Sequence, residues 1–78
     1  MRPRLRNIGA REVERILIKC GFILDRQKGS HQQYLKMLEG RILRVTVVTN
    51  RKSYHLTTLK SMISQSGLSE EEWDQALD

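Results

Sequence analysis

The sequence predicts a small α+β domain in which one helix precedes a three-stranded antiparallel sheet and two further helices follow it. Three observations support this prediction. Apolar residues recur at helical spacing near the start of the chain, three later segments alternate between apolar and polar residues, and a capping signal opens a last short helix. With 78 residues, the chain is long enough for one domain with a thin core.

The first helix is predicted over residues 10–20. Gly9 serves as its N-cap with Glu12 three residues later, and Gly21 supplies a glycine stop. Apolar side chains recur on one face at positions i, i+3, i+4 and i+7, namely Val13, Ile16, Leu17 and Cys20. The single cysteine is therefore expected to pack in the core, and it excludes an internal disulfide and a multi-cysteine zinc site.

Residues 1–8 are predicted to form a flexible basic arm, because three arginines leave little to bury, and residues 9–78 a single domain. The basic start lacks the apolar stretch of a secretory signal. No run of residues is apolar enough to span a membrane. A cytoplasmic protein is the resulting expectation.

Three strands are predicted over residues 22–27, 31–38 and 41–48, each with regular alternation of its two faces. Tight turns containing Gly29 and Gly40 join them. Because connections this short link only antiparallel neighbours, the strands form a meander with one face covered by helices and the other left open and polar.

After a polar loop, a second helix is predicted to start at Thr57 or Thr58 and to end at Gly67. Ser69 and Glu72 form a capping box that opens the last short helix. All fourteen basic residues precede Gly67, together with only four of the nine acidic residues, which gives this part a net charge of +10. Such a basic body favours a polyanionic partner, most simply nucleic acid, over a merely solvated surface.

The basic turn before the second strand contains the candidate site: Arg26, Lys28, Gly29, Ser30 and His31. Glycine permits the backbone conformation of a tight or anion-binding turn. The cations supply charge, the serine a hydroxyl, and the histidine a group that gains and loses protons near neutral pH. This combination is suited to holding a phosphate.

The chain resembles the HicA toxins of bacterial and archaeal toxin-antitoxin pairs over about residues 9–73. The resemblance is carried by the amphipathic first helix, the run RQKGSH ending at His31, an aromatic residue at Tyr34, the strand RVTV at residues 44–47, and a closing pattern that includes Thr58, Leu59, Ile63, Gly67, Leu68 and Ser69. It implies a fold like that of a double-stranded RNA-binding domain. It also implies an mRNA interferase, a small ribonuclease that halts translation and is silenced by a HicB-like antitoxin.

By this resemblance the family's catalytic histidine falls on His31, and its flanking glycine and serine on Gly29 and Ser30. The sequence departs from the family pattern at Val48, where members often have proline, and in the loop over residues 49–54.

RNA offers its own nucleophile, the ribose 2′-hydroxyl, so cleavage without a metal or other cofactor requires only proton transfer and charge stabilisation. His31 suits the base or acid role. Lys28 and Arg26 are candidates for stabilising the phosphorane. Arg51 and Lys52 are either solvated loop residues or phosphate contacts, with contact favoured.

Alternatives stay open at several positions. The alternative to a catalytic role for His31 is that of a structural histidine that is hydrogen-bonded to backbone. His55 is either a surface residue or a second acid or base. Tyr34 packs in the core or stacks on a base, whereas Trp73 is expected to close over the core. The rival functions are a non-catalytic RNA-binding module, which grips RNA by shape, and a partner-binding domain with no RNA affinity.

Overall fold

The computed structural model describes residues 1–78 and confirms the predicted α+β class. The chain runs through a 3₁₀ turn (Pro3–Leu5), α1 (Ala10–Lys19), β1 (Ile23–Lys28), β2 (His31–Leu38), β3 (Arg41–Val48), α2 (Leu56–Ser66) and α3 (Glu70–Ala76). The three strands form one antiparallel sheet in the order β1-β2-β3. None of the helices combines the length and the apolar content needed to cross a membrane.

The helices cover one face of the sheet. Tyr34, Val45 and Val47 point into the core on this face and are at most 3% exposed. Alternate residues of β2 and β3 point to the other face, which is open to solvent. The core also takes side chains from every helix, including Leu17 from α1, Leu59 from α2 and Trp73 from α3.

Hydrogen bonds confirm the predicted start of α1 and its glycine stop, and the helix ends at Lys19 with Cys20 as its C-cap. Gly9 N donates to Glu12 Oε1 over 2.7 Å, which forms one half of a capping box. At the other end Phe22 N donates to Leu17 O over 2.9 Å, and Gly21 has a φ of +94°, as in a Schellman motif. Phe22 is therefore a core residue at the end of the helix rather than the first residue of the strand.

A β-bulge interrupts β1 at Asp25, which has no partner in β2. Beyond the bulge Arg26 pairs with Gln33, and Lys28 pairs with His31. Directly paired residues of antiparallel strands share a face. The regular alternation predicted for this strand is therefore wrong, and the bulge turns both cations toward the open face.

The first eight residues are not a free arm. Leu5 is fully buried and Ile8 is 6% exposed, so both belong to the core. Arg4 donates a hydrogen bond to the carboxylate of Asp78 and lies 3.7 Å from Asp74. The prediction of a flexible arm is wrong, because burial of Leu5 and Ile8 in the core stabilises this segment despite the charge of the arginines around them.

The last two helices begin and end at identifiable signals. His55 is the N-cap of α2, and neither predicted threonine has that role. Gly67 ends the helix with a φ of +71°. The predicted capping box of α3 is confirmed, because Glu72 N donates to Ser69 Oγ over 3.1 Å and Ser69 N donates to Glu72 Oε1 over 3.0 Å.

Candidate active site

The turn between β1 and β2 consists of Gly29 and Ser30, because the residues on either side of them are directly paired. Gly29 has a φ of +59°, in the left-handed region that favours glycine. No heavy atom lies within 4 Å of the position that a Cβ would take, so this position favours glycine for its backbone conformation and not for lack of space. Ser30 O accepts a hydrogen bond from Thr49 N over 2.7 Å, which ties the turn to the end of β3.

His31 is the first residue of β2 and is paired with Lys28 on one side and Val48 on the other. Its side chain is exposed. The side-chain hydrogen bonds around the turn are made by Gln27 and Gln32, and the imidazole takes part in none of them. The imidazole is therefore accessible to a ligand from solvent.

An open cavity of about 610 Å³ lies beside this imidazole. It is lined by seven residues, none of them hydrophobic: Arg26, Lys28, Gly29, Ser30, His31, Gln33 and Arg44. Three of them are cationic and none is acidic. The one ion pair among the cations joins Arg26 to the adjacent Asp25 over 3.5 Å, and both side chains are solvent-exposed. Lys28 and Arg44 have no acidic partner, so the cavity keeps a net positive charge suited to an anion.

The structure brings all five residues of the predicted turn to one cavity and adds Gln33 and Arg44, which the sequence analysis did not single out. Gln33 lies two residues after His31 on the same face of β2. Arg44 pairs with Leu35 and so reaches the same face from β3. Arg44 can be identified from the sequence by counting cross-strand pairs outward from the two-residue turn between β2 and β3.

Arg51 and Lys52 lie elsewhere. They line a second cavity of about 770 Å³ on the covered side of the sheet, beside the start of α1. Ala10 N donates to Arg51 O over 2.9 Å, and a Cβ on Gly9 would lie 2.3 Å from Lys52 O. This close backbone approach holds the basic loop against α1, away from the imidazole of His31.

His55 lines a third cavity of about 490 Å³ at the start of α2, with Arg51 and Tyr54 among its neighbours. The two histidines therefore do not share a cavity. No group of three or more His, Cys, Asp or Glu side chains is placed to hold a metal ion.

Tyr34, Trp73 and Cys20 belong to the core or its margin. Tyr34 is 3% exposed, and burial, followed by the nearby charge of Glu14, raises its pKa to about 12. Trp73 is fully buried and donates from Nε1 to Ser66 Oγ over 3.0 Å, as expected of a residue that closes over the core. Burial raises the pKa of the Cys20 thiol, which packs against the core. The open alternative of base stacking by Tyr34 is thereby resolved in favour of the core.

A family model described as HicA toxin of bacterial toxin-antitoxin matches residues 10–68, which is more than half of the chain. The matched range contains all seven residues of the cavity beside the imidazole and the basic loop. A comparison with curated proteins finds no matching relative.

Proposed function

The chain belongs to the HicA toxin family of bacterial toxin-antitoxin modules, and from this membership we propose that it is an mRNA interferase, a metal-independent endoribonuclease. The toxin role follows from the family. The finer proposal is that His31 cuts RNA and that this cleavage blocks translation. Because mRNA is translated in the cytoplasm, we place the protein there.

One observation carries the proposal. The imidazole of His31 is exposed, makes no hydrogen bond within the protein, and lines a cavity together with three cationic side chains and no carboxylate. An imidazole can both accept and donate a proton, which makes histidine the commonest general acid–base side chain. A group of this kind beside an anion site is suited to general acid–base catalysis on a phosphodiester.

The reaction needs no group beyond the RNA, this imidazole and solvent. His31 removes the proton from a ribose 2′-hydroxyl, and the 2′-oxygen forms a bond to phosphorus as the bond from phosphorus to the 5′-oxygen breaks. The leaving 5′-oxygen takes a proton from solvent, and the imidazolium returns its own proton to solvent. The products are a 2′,3′-cyclic phosphate and a 5′-hydroxyl end.

Negative charge develops on the phosphate oxygens during this step. Arg26 and Lys28 lie on the same face as His31 and can offset that charge. Gly29 and Ser30 bring the backbone of the turn and a hydroxyl close to the same phosphate. His55 is the N-cap of α2 and lines a different cavity, so the proposal gives it no part in proton transfer at this phosphate.

Arg51 and Lys52 have a separate role in the proposal. Their cavity lies across the sheet from His31, and in the proposal they contact other phosphates of the RNA. Glu12 and Glu14 line the same cavity and offset part of their charge. Phosphate contacts of this kind weaken steeply with salt. They also favour the second candidate function, a non-catalytic RNA-binding module, because this basic loop can grip RNA without help from His31.

The family implies an antitoxin partner, and we propose that it is HicB-like. Three apolar side chains are exposed on the open face at the end away from the turn: Ile23 at 68%, Met37 at 69% and Ile42 at 60%. An apolar patch of this kind beside a charged site is typical of a protein interface.

The decisive experiment is cleavage of a structured mRNA in EDTA by the purified protein, compared with the variants His31→Ala and His55→Ala. We expect the parent and His55→Ala to cut, and His31→Ala to cut roughly 100-fold more slowly, since general acid–base groups contribute on that order. All three proteins should bind RNA and melt alike.

Cutting by His31→Ala at the parental rate, or loss of cutting in EDTA, would contradict the proposed mechanism. If none of the three proteins cuts with or without EDTA but all of them bind, the RNA-binding module replaces the ribonuclease.

A further inference from the structure

Two cavity residues lie outside the basic turn, Gln33 on β2 and Arg44 on β3. Gln33 is paired with Arg26 on one side and with Thr46 on the other. Arg44 lies diagonally across from Gln33 on the same face, within reach of a long side chain. The two side chains therefore close the cavity on the side opposite the turn.

Gln33 presents its amide in a defined orientation. Thr46 Oγ1 donates to Gln33 Oε1 over 3.3 Å, and Gln33 Nε2 donates to no protein group. Thr46 is itself held in place, because its backbone N donates to Gln65 Oε1 of α2 over 3.2 Å. With its oxygen occupied, the Gln33 side chain offers the cavity a fixed N–H donor.

Arg44 is a guanidinium without an acidic partner. The three ion pairs of the protein involve Arg4 and Arg26 only. Its planar fork of donors matches the oxygens of a phosphate. Arg44 on β3 and Arg26 on β1 lie on either side of β2, which supplies His31 and Gln33. An anion in the cavity therefore has one guanidinium on each side.

We propose that Gln33 and Arg44 bind the non-bridging oxygens of the phosphate that faces His31, and that Thr46 positions Gln33. This inference rests on the proposed ribonuclease function for the identity of the phosphate. Arg44 contributes to binding before reaction, since its charge meets the charge of the phosphodiester. Gln33 acts mainly on the rate, since a fixed neutral donor gains most as charge builds on oxygen.

The test for Arg44 uses binding of an RNA oligonucleotide that carries 2′-O-methyl groups throughout and therefore cannot be cut. Arg44→Gln is compared with Arg41→Gln, which makes the same charge change on the same strand at an exposed position on the opposite face. Loss of a charge-assisted hydrogen bond predicts roughly tenfold weaker binding for Arg44→Gln. We expect a much smaller change for Arg41→Gln.

The test for Gln33 uses the kinetics of RNA cleavage. Gln33→Leu is expected to lower kcat roughly tenfold or more with little change in KM, as for loss of an oxyanion donor. Thr46→Val should give part of this loss, whereas Thr46→Ser, which keeps the hydroxyl, should retain the parental rate. Recovery by serine but not by valine distinguishes positioning of the amide from a general structural role.

The outcomes separate this inference from the ribonuclease proposal. If the parent cuts RNA but Arg44→Gln binds like Arg41→Gln and Gln33→Leu cuts like the parent, the inference is overturned and the ribonuclease stands. If the parent does not cut but Arg44→Gln alone loses affinity, the phosphate site stands and the ribonuclease fails. If the parent neither binds nor cuts, both fail.

Discussion

The two faces of β2 and β3 have different roles, and neighbouring residues belong to different faces. Tyr34, Val45 and Val47 are at most 3% exposed and form the side of the core that the sheet supplies. Gln33 and Arg44 lie one position away along the same strands and reach an open, cationic cavity. The covered face therefore supplies part of the core, and the open face carries the proposed site.

This alternation means that the core and the proposed site can be changed separately. A substitution at an exposed position of the open face removes little buried surface, whereas one on the covered face removes buried surface and leaves a cavity. Each strand thus contains a control position for each substitution, because adjacent residues of one strand have the same backbone environment and point to opposite faces. The predictions below test how complete this separation is.

The largest effect on stability is expected from Tyr34→Ala. Truncating a buried aromatic residue costs about 3–5 kcal/mol, a large part of the stability of a domain of this size. The adjacent substitution Gln33→Ala should cost no more than about 0.5 kcal/mol, as is usual for surface positions. Urea unfolding of both variants beside the parent measures the difference.

RNA cleavage should show the opposite order under conditions in which both variants are folded, with Gln33→Ala the slower enzyme. Equal losses of stability in the two variants would mean that the open face contributes to the core after all, and the comparison of the two faces would fail.

Much of the fold follows from local signals in the sequence. The bounds of β2 and β3 were predicted as the structure has them, because strict alternation and a two-residue turn leave little freedom in register. The Schellman stop at Gly21 and the capping box at Ser69 and Glu72 were likewise predicted. These signals are local, since each depends on a few consecutive residues and the backbone groups they satisfy.

The features that escaped prediction depend on contacts between distant parts of the chain. The bulge at Asp25 adds a single residue that composition does not reveal. The burial of Leu5 depends on a core that forms only when the helices have docked. Arg44 joins the cavity by cross-strand register, and Arg51 is held away from it by the close approach of the loop to α1.

A second effect on the covered face is expected at high pH. Burial holds the pKa of Tyr34 at about 12, above the ordinary value of about 10, so the folded state favours the neutral phenol. The unfolded chain ionises first, and stability present below about pH 10 is therefore lost as the pH rises toward 12. Urea midpoints measured between neutral and alkaline pH should fall less steeply for Tyr34→Phe than for the parent.

Burial also raises the pKa of Tyr54, so the double variant with phenylalanine at both positions should have the flattest profile. His31→Ala on the open face serves as the control and should follow the parental profile. A profile that is unchanged by Tyr34→Phe would show that the phenol is not excluded from water in solution.

The smallest effect is expected from deletion of Asp25. On either side of this residue, Leu24 pairs with Tyr34 and Arg26 pairs with Gln33, which are already consecutive in β2. Removing the extra residue therefore joins two segments that are in register and keeps Arg26 on the open face. We expect RNA cleavage close to that of the parent.

Deletion of Gln27 is the comparison, since it shortens β1 by the same length and also removes the bulge. It also removes the hydrogen bonds that the Gln27 side chain makes with Gly29 O and Gln32 Nε2. With Lys28 still paired to His31, regular alternation would then place Asp25 opposite Gln33 and turn Arg26 to the covered face. A carboxylate would replace a guanidinium in the cavity and repel phosphate, so cleavage and RNA affinity should both fall. If both deletions abolish cleavage, the bulge itself is what the site requires. If neither lowers cleavage, the face on which Arg26 lies does not decide activity.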